Sequence, residues 1–324
     1  MSQPTISPSG IYLYNRSYSI TVGTQLNSST AKQYANFSRT IDGTVVPASP
    51  IKVTFDIEKT NIGSPNKAKF EIYNVSSQTR NSIAQGVAVQ FQAGYKGLVQ
   101  TVFVGNVHPK GVKSERKGAD IVTSFECGDG ESAITTSVLN KAYAPGTTLA
   151  QILTDIGTAM SVTTSESPDG VTAGVSLGIP NVVYGKGISI HGACKDSLNK
   201  LLTPLNLSWS VQNFALTIIP KGSYNGASAI VVSKYTGLIN TPSMDQFLHF
   251  DSLLNPSLVP NAIVKLESDN TALNGFYKIN KAHYVGDTHD NKWQVSCECV
   301  KMLNVTQNLP AAVGFNYAAG VEVG

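Results

Sequence analysis

From Ile51 the chain alternates. Ile51, Val53, Phe55 and Ile57 are apolar, with Lys52, Thr54, Asp56 and Glu58 between them. A period of two puts the first set on one face of a β-strand and the second on the other. The polar stretch 61–66 (NIGSPN) predicts a turn, after which Ala68, Phe70 and Ile72 repeat the pattern. Val87, Val89, Phe91 and Ala93 predict a third strand, and Val102 and Val104 a fourth. Between the second and third, residues 76–84 (SSQTRNSIA) predict one or two helical turns with a Ser start. Four strands with one apolar face each must close around a shared core, as a sandwich or a barrel.

Upstream, residues 11–22 predict a first strand, and the polar stretch 23–50 a long loop that is either a mobile surface segment or a contact for a neighbour. Downstream, Ile121, Thr123, Phe125 and Cys127 alternate again, after a hairpin tip at 108–120 that carries Lys110, Lys113, Arg116 and Lys117. Solvation is the expected role of that basic tip. The period then changes. Leu149, Ile152, Leu153, Ile156 and Met160 have helical spacing, and Thr148 with Gln151 has the spacing of a capping box. Cys194, Leu198, Leu201, Leu202 and Leu205 predict a second helix, ended by Pro204. Leu207, Trp209 and Val211, then Phe214, Leu216 and Ile218, predict a hairpin over both helices. Ala262, Val264 and Leu266 then predict a strand, and 276–285 and 293–299 a pair of strands joined by the turn GDTHDNK.

Two regions carry a resemblance. The segments AKFEIYNVSSQTRNSI and VFVGNV, and the closing GFYKINKAHYVGDTHDNKWQVSCEC, resemble phage baseplate hub proteins, the tail-tube-like component between a contractile tail and its central spike; these proteins are related to the hub half of type VI spike proteins. The second match is close at Tyr277, Lys278, Ile279, Gly286, Asp287, Thr288 and Trp293. The resemblance implies a mainly β chain with a smaller α+β part: two tail-tube-like β-barrels with a helix–helix–hairpin domain between them. The corresponding division is 1–135 for the first barrel with its long early loop and 136–234 for the α+β domain. Residues 235–304 form the second barrel and 305–324 an extended arm. It implies a homotrimeric structural virion protein of the tail baseplate, made in the host cytoplasm, that joins the tail tube or its adaptor to the spike. Tape measure and baseplate wedge proteins are further partners. DNA would pass only in transit, with no stable membrane association. The alternatives are a type VI or other contractile injection particle, a carbohydrate-binding tail protein, or a peptidoglycan-acting one.

Composition narrows these options. A net charge of +3 over 324 residues is too mild to argue for nucleic-acid or membrane binding. No apolar run approaches a membrane span, and MSQPTISPSG lacks the basic and apolar regions of a secretory leader. Cys127, Cys194, Cys297 and Cys299 have neither zinc-site nor disulfide-framework spacing, so reduced, buried thiols are expected.

No catalytic, cofactor or metal constellation emerges. His289 with Asp287 and Asp290 could ligate a divalent ion, yet Asp and His are common turn formers. His191 and Cys194 evoke a Cys–His nucleophile without an oxyanion donor, which favours a structural Cys. Glu126, Asp129 and Glu131 surround the turn Gly128-Asp129-Gly130, where solvent is expected to keep all three ionised. Trp209 and Trp293 are the aromatic platforms a sugar site would need, but both lie on alternating strands, where burial is the default.

Overall fold

The computed structural model describes residues 15–23, 31–41, 44–83, 87–95, 98–108, 111–162, 178–227, 229–302 and 313–314. The alternating stretches are strands. The first half contains β1 (Arg16–Gly23), β2 (Lys32–Ala35), β3 (Val53–Thr60), β4 (Asn66–Tyr73), the short helix α1 (Ser77–Ser82), β5 (Ala88–Tyr95), β6 (Leu98–Val107), β7 (Lys113–Lys117) and β8 (Asp120–Asp129). The middle contains α2 (Glu131–Thr135), α3 (Leu149–Ala159), α4 (Cys194–Leu202) and the hairpin β9 (Leu207–Gln212) and β10 (Ala215–Pro220). The last part contains β11 (Ile230–Ser233), β12 (Leu248–Leu253), β13 (Ile263–Glu267), β14 (Gly275–Asp287) and β15 (Trp293–Lys301).

Local chemistry explains these elements. Along β3, Val53, Phe55 and Ile57 are buried while Asp56 is exposed, as the alternation requires. Helix α3 is capped by Thr148, whose hydroxyl accepts from the Gln151 N–H while the Gln151 side chain returns to the Thr148 N–H. Helix α4 stops at Leu202 and gives way to a 3-10 turn containing Pro204, since proline has no N–H to continue the ladder.

The connection between the halves differs from two separate barrels. One sheet runs from the edge strand Ser243–Met244 through β12, β15, β14, β3, β4, β8, β6, β5 and β1 to β2. Strand β14 is its crossroads. Its first residues pair with β13, and from Lys281 to Asp287 the same edge pairs antiparallel with β3. At the fork sits a cluster of three asparagines: the Asn61 side-chain amide donates to Asn280 at 3.0 Å and to Asn261 at 3.3 Å. A single hydrophobic core accordingly holds Phe70, Phe91 and Phe125 together with Phe250, Tyr284 and Trp293. The α+β unit keeps its own core, built from Leu149, Ile152, Ile156, Cys194, Leu198 and Trp209.

Two stretches differ from their expected form. The 23–50 segment is not one long loop. It contributes β2, paired to β1, and a small hairpin of Arg39–Ile41 with Thr44–Val46. Strands of three or four residues are too short for periodicity to reveal. The basic tip is itself the strand β7, exposed throughout and paired with the first half of β8. Of the 305–324 arm, Val313–Gly314 is described and pairs in parallel with β11; the rest, like residues 11–14 of the first predicted strand, lies outside the described residues.

Candidate functional site

The strongest concentration of buried polar chemistry lies where the sheet meets the α+β unit. Three buried polar residues stand at this end of the sheet: Lys59, one residue before the end of β3, Asn66, the first residue of β4, and Asp129, the last of β8. Lys59 and Asp129 are 1% and 0% exposed. Into them projects the tip of the β9–β10 hairpin, Asn213-Phe214, with φ of 54° and 60°. Positive φ at both central residues defines a type I′ turn, which suits Asn and strains Phe. Asp129 offsets that strain by accepting both turn amides, from Asn213 at 2.7 Å and from Phe214 at 2.9 Å, and it also accepts from the Asn66 amide at 3.0 Å. The Lys59 ammonium donates to the Val102 carbonyl at 3.1 Å and to the Asn213 side-chain oxygen at 3.0 Å. Gly130, next in the chain, has φ +67°, and a side chain there would overlap Val211 of β9. Burial pushes the Asp129 carboxyl above its ordinary range, against the Lys59 charge and its three N–H donors. Burial lowers Lys59 to about 8, against the Asp129 charge. The arrangement ties the β9–β10 hairpin of the α+β unit to the sheet.

The second feature is the solvent face of the sheet. Opposite charges stand in register across β8, β4 and β3: Glu126 faces Lys69, which faces Asp56, and Lys67 faces Glu58. The pattern continues over the joint between the halves, where His283 reaches Asp56 at 2.8 Å and Lys281 reaches Glu58 at 2.7 Å. It ends with Glu298 between Lys281 and His249. Cross-strand pairs of this kind neutralise a face while keeping it wet. A groove of about 610 Å³ over this face is lined by Asp56, Glu58, Lys67, Lys69, His108 and Glu131.

The residues singled out from sequence are scattered. Asp287 caps the β14–β15 turn by accepting from the His289 N–H at 2.8 Å and pairs with Lys52 at 3.1 Å; His289 and Asp290 are exposed. His191 lies exposed ahead of α4, whereas Cys194 is buried on the helix and packs in the core of the α+β unit. Glu126 is exposed and Glu131 half-buried beside His108, but the expectation of three solvated carboxylates fails at Asp129. Asp129 continues the inward parity of Phe125 and Cys127, so the turn begins only after it. Trp209 and Trp293 are both buried, which leaves no stacking platform at either. Among the described residues no group of three or more His, Cys, Asp or Glu is placed to hold a metal ion, and no helix is long and apolar enough to cross a membrane. Lys59, Asn66 and Asn213 were missed. The signal for the first two was parity: Lys59 follows Val53, Phe55 and Ile57, and Asn66 precedes Ala68, Phe70 and Ile72.

The turn geometry makes a direct prediction. Asp287→Ala is expected to cost about 1–2 kcal/mol through loss of the turn bond and the Lys52 pair, and His289→Ala less than about 0.5 kcal/mol. Thermal melts with and without EDTA check this: a chelator-dependent loss in the wild type alone would show a metal at the turn.

No protein-family model and no curated protein matches the chain. Solved structures do. The fold is similar to the 43 kDa tail protein of prophage MuSo2 from Shewanella oneidensis, with a TM-score of 0.55 and 10% identity over 88% of this chain and 98% of that one. It is also similar to the tail protein from Neisseria meningitidis MC58, with a TM-score of 0.54 and 9% identity over 88% and 96% of the two chains. The third is the E. coli c3393 protein, a component of the type VI secretion system structurally similar to the T4 bacteriophage tail proteins gp27 and gp5. There the TM-score is 0.53 and the identity 12%, over 81% of this chain and 77% of that one. The fold is therefore one shared with phage tail proteins and with a type VI component. Within it, the baseplate-hub resemblance of the sequence stands at the level of fold.

Proposed function

We propose that the chain is a structural protein of a phage tail baseplate, a homotrimeric hub between the tail tube or its adaptor and the central spike of a contractile tail. The carrying observation is that a tail-protein fold extends over nearly the whole chain and nearly the whole of two tail proteins. Two further features support an assembly role. Among the described residues the path of the sheet ends at the short strands Lys32–Ala35 and Ser243–Met244, and sheet edges invite pairing or cover by a neighbour. A polar face on which both signs of charge alternate suits a surface along which DNA passes without being gripped. In this reading the two halves of the sheet act as paired tube-like units, so that three chains present six. Tape measure and wedge proteins are its remaining neighbours, and the mature virion tail is its location.

A second reading, a component of a type VI or other contractile injection particle, is favoured by the similarity to the E. coli type VI component. Its mechanics are the same: geometric joining rather than bond chemistry on a substrate.

In solution, light scattering is expected to give a trimer whose interfaces bury about 2,000–5,000 Å². A fully soluble monomer across all concentrations would count against the ring. Labelling of the chain in intact particles, imaged by electron microscopy, is expected to mark the junction of tube and spike; label confined elsewhere would reject the hub position.

A further inference from the structure

We propose, resting on the hub reading, that the sheet continues from one copy of the chain to the next: strand β7 of one copy pairs beside the edge strand Ser243–Met244 of its neighbour. The charged face of the sheet has two ends. From β8 it crosses β4, β3, β14 and β15 to β12, and each outer strand of that run carries one short strand beyond it. Beyond the first half of β8 lies β7, exposed throughout and, among the described residues, paired on one side only. Beyond β12 lies Ser243–Met244, paired on one side in the same way. A strand paired on one side offers its remaining N–H and C=O groups to another chain.

The joint has a precedent inside the chain. Each half contributes a run of three strands to the charged face, β3–β4–β8 in the first and β12–β15–β14 in the last. The end of the second run, β14, meets the start of the first, β3, edge to edge and antiparallel. Ion pairs from His283 to Asp56 and from Lys281 to Glu58 cross that joint on the wet face. Repeating the joint between copies brings the end of the first run, β8 with β7 on it, to the start of the second, β12 with Ser243–Met244 on it. Three copies closed in this way make one continuous face.

The two surfaces are complementary. Lys113, Glu115 and Lys117 stand on the wet face of β7, opposite Ser124, Val122 and Asp120. Lys117 is held by Glu71 and Glu115, whereas Lys113 is exposed and has no ion pair among the described residues. The other end is acidic. Asp245 is exposed just after the edge strand, beside His249, and Asp251 accepts from Asn240 and Ser296 but meets no cation. Both Ser243 and Asp251 line a groove of about 300 Å³ that opens on the wet face. Lys113 of the neighbouring copy supplies the missing positive charge there. On the other side of the same edge, Tyr235, Ile239 and Met244 are exposed, and the first two line one groove. Arg116 stands on that side of β7, where its aliphatic stem covers Met244.

The test is cross-linking of the full chain between the two edges. All four native cysteines are buried, so Lys113→Cys and Ser243→Cys add the reactive thiols, each variant being confirmed folded by its thermal melt. With a short bismaleimide, the double variant is expected to give covalent dimer and trimer on a denaturing gel. A mixture of the two single variants should stop at dimer, and each single variant alone should stay uncrosslinked. Lys113→Glu is expected to raise the dissociation constant of the trimer about tenfold, with Lys113→Arg close to the wild type. A trimer by light scattering whose double variant does not cross-link would overturn the strand pairing and leave the hub reading standing. A monomer at all concentrations would overturn both. Cross-links formed equally well by Lys113→Cys alone would overturn the pairing in favour of two β7 strands in contact.

Discussion

Replacing Asp129 with alanine is expected to lower folding stability by about 3–5 kcal/mol, because a wholly buried carboxylate that accepts three N–H bonds and offsets the buried Lys59 charge is lost. The loss has three parts. The Lys59 ammonium is left in a site without water or counter-charge. The amides of Asn213 and Phe214 lose their common acceptor. The left-handed backbone at Phe214 loses what held it. Because the same residue clamps the hairpin to the sheet, the α+β unit should loosen before the sheet does. Amide exchange along β9 and β10 should therefore accelerate more than along β3 and β4. Asp129→Asn is expected to fall between, since one amide oxygen replaces two carboxylate oxygens. Chemical denaturation gives the number. A change below about 1 kcal/mol for the alanine variant would mean that the junction does not depend on the carboxylate.

The second large effect is expected at Phe55, where alanine should cost about 3–5 kcal/mol, as for other emptied aromatic core sites. Its ring lies 4.6 Å from that of Phe91 in the first half and 5.2 Å, edge to face, from Trp293 in the last. Phe55 is thus a side-chain tie between the two halves, parallel to the backbone pairing of β3 with β14. Gly286 lies directly against the ring, and any side chain there would overlap it. Gly286→Ala should therefore be costly in the wild type and cheaper in Phe55→Ala, a non-additivity that contact predicts. Trp293 fluorescence should shift to the red in Phe55→Ala, because its ring loses a neighbour. Equal costs of Gly286→Ala in both backgrounds would place the ring elsewhere.

The sequence by itself determined which face of each long strand is buried. The alternation around Phe55, Phe70, Phe91 and Phe125 is the core of the structure, and the spacing at Thr148–Gln151 and at Cys194–Leu202 is the helical stripe with its cap. The same alternation also placed Lys59, Asn66 and Asp129 inward; their polarity hid it, because a charge at the end of an apolar run reads as the start of a turn. Only the tertiary structure decided which edges meet. That β14 lies beside β3, and so joins two halves into one sheet, is written in backbone N–H and C=O groups that every residue but proline carries alike. That Asn213 meets Lys59 and Asp129 follows from how the α+β unit sits on the sheet. A side-chain pattern encodes the buried face of an element, whereas its partner is chosen by shape and register once distant elements are brought together.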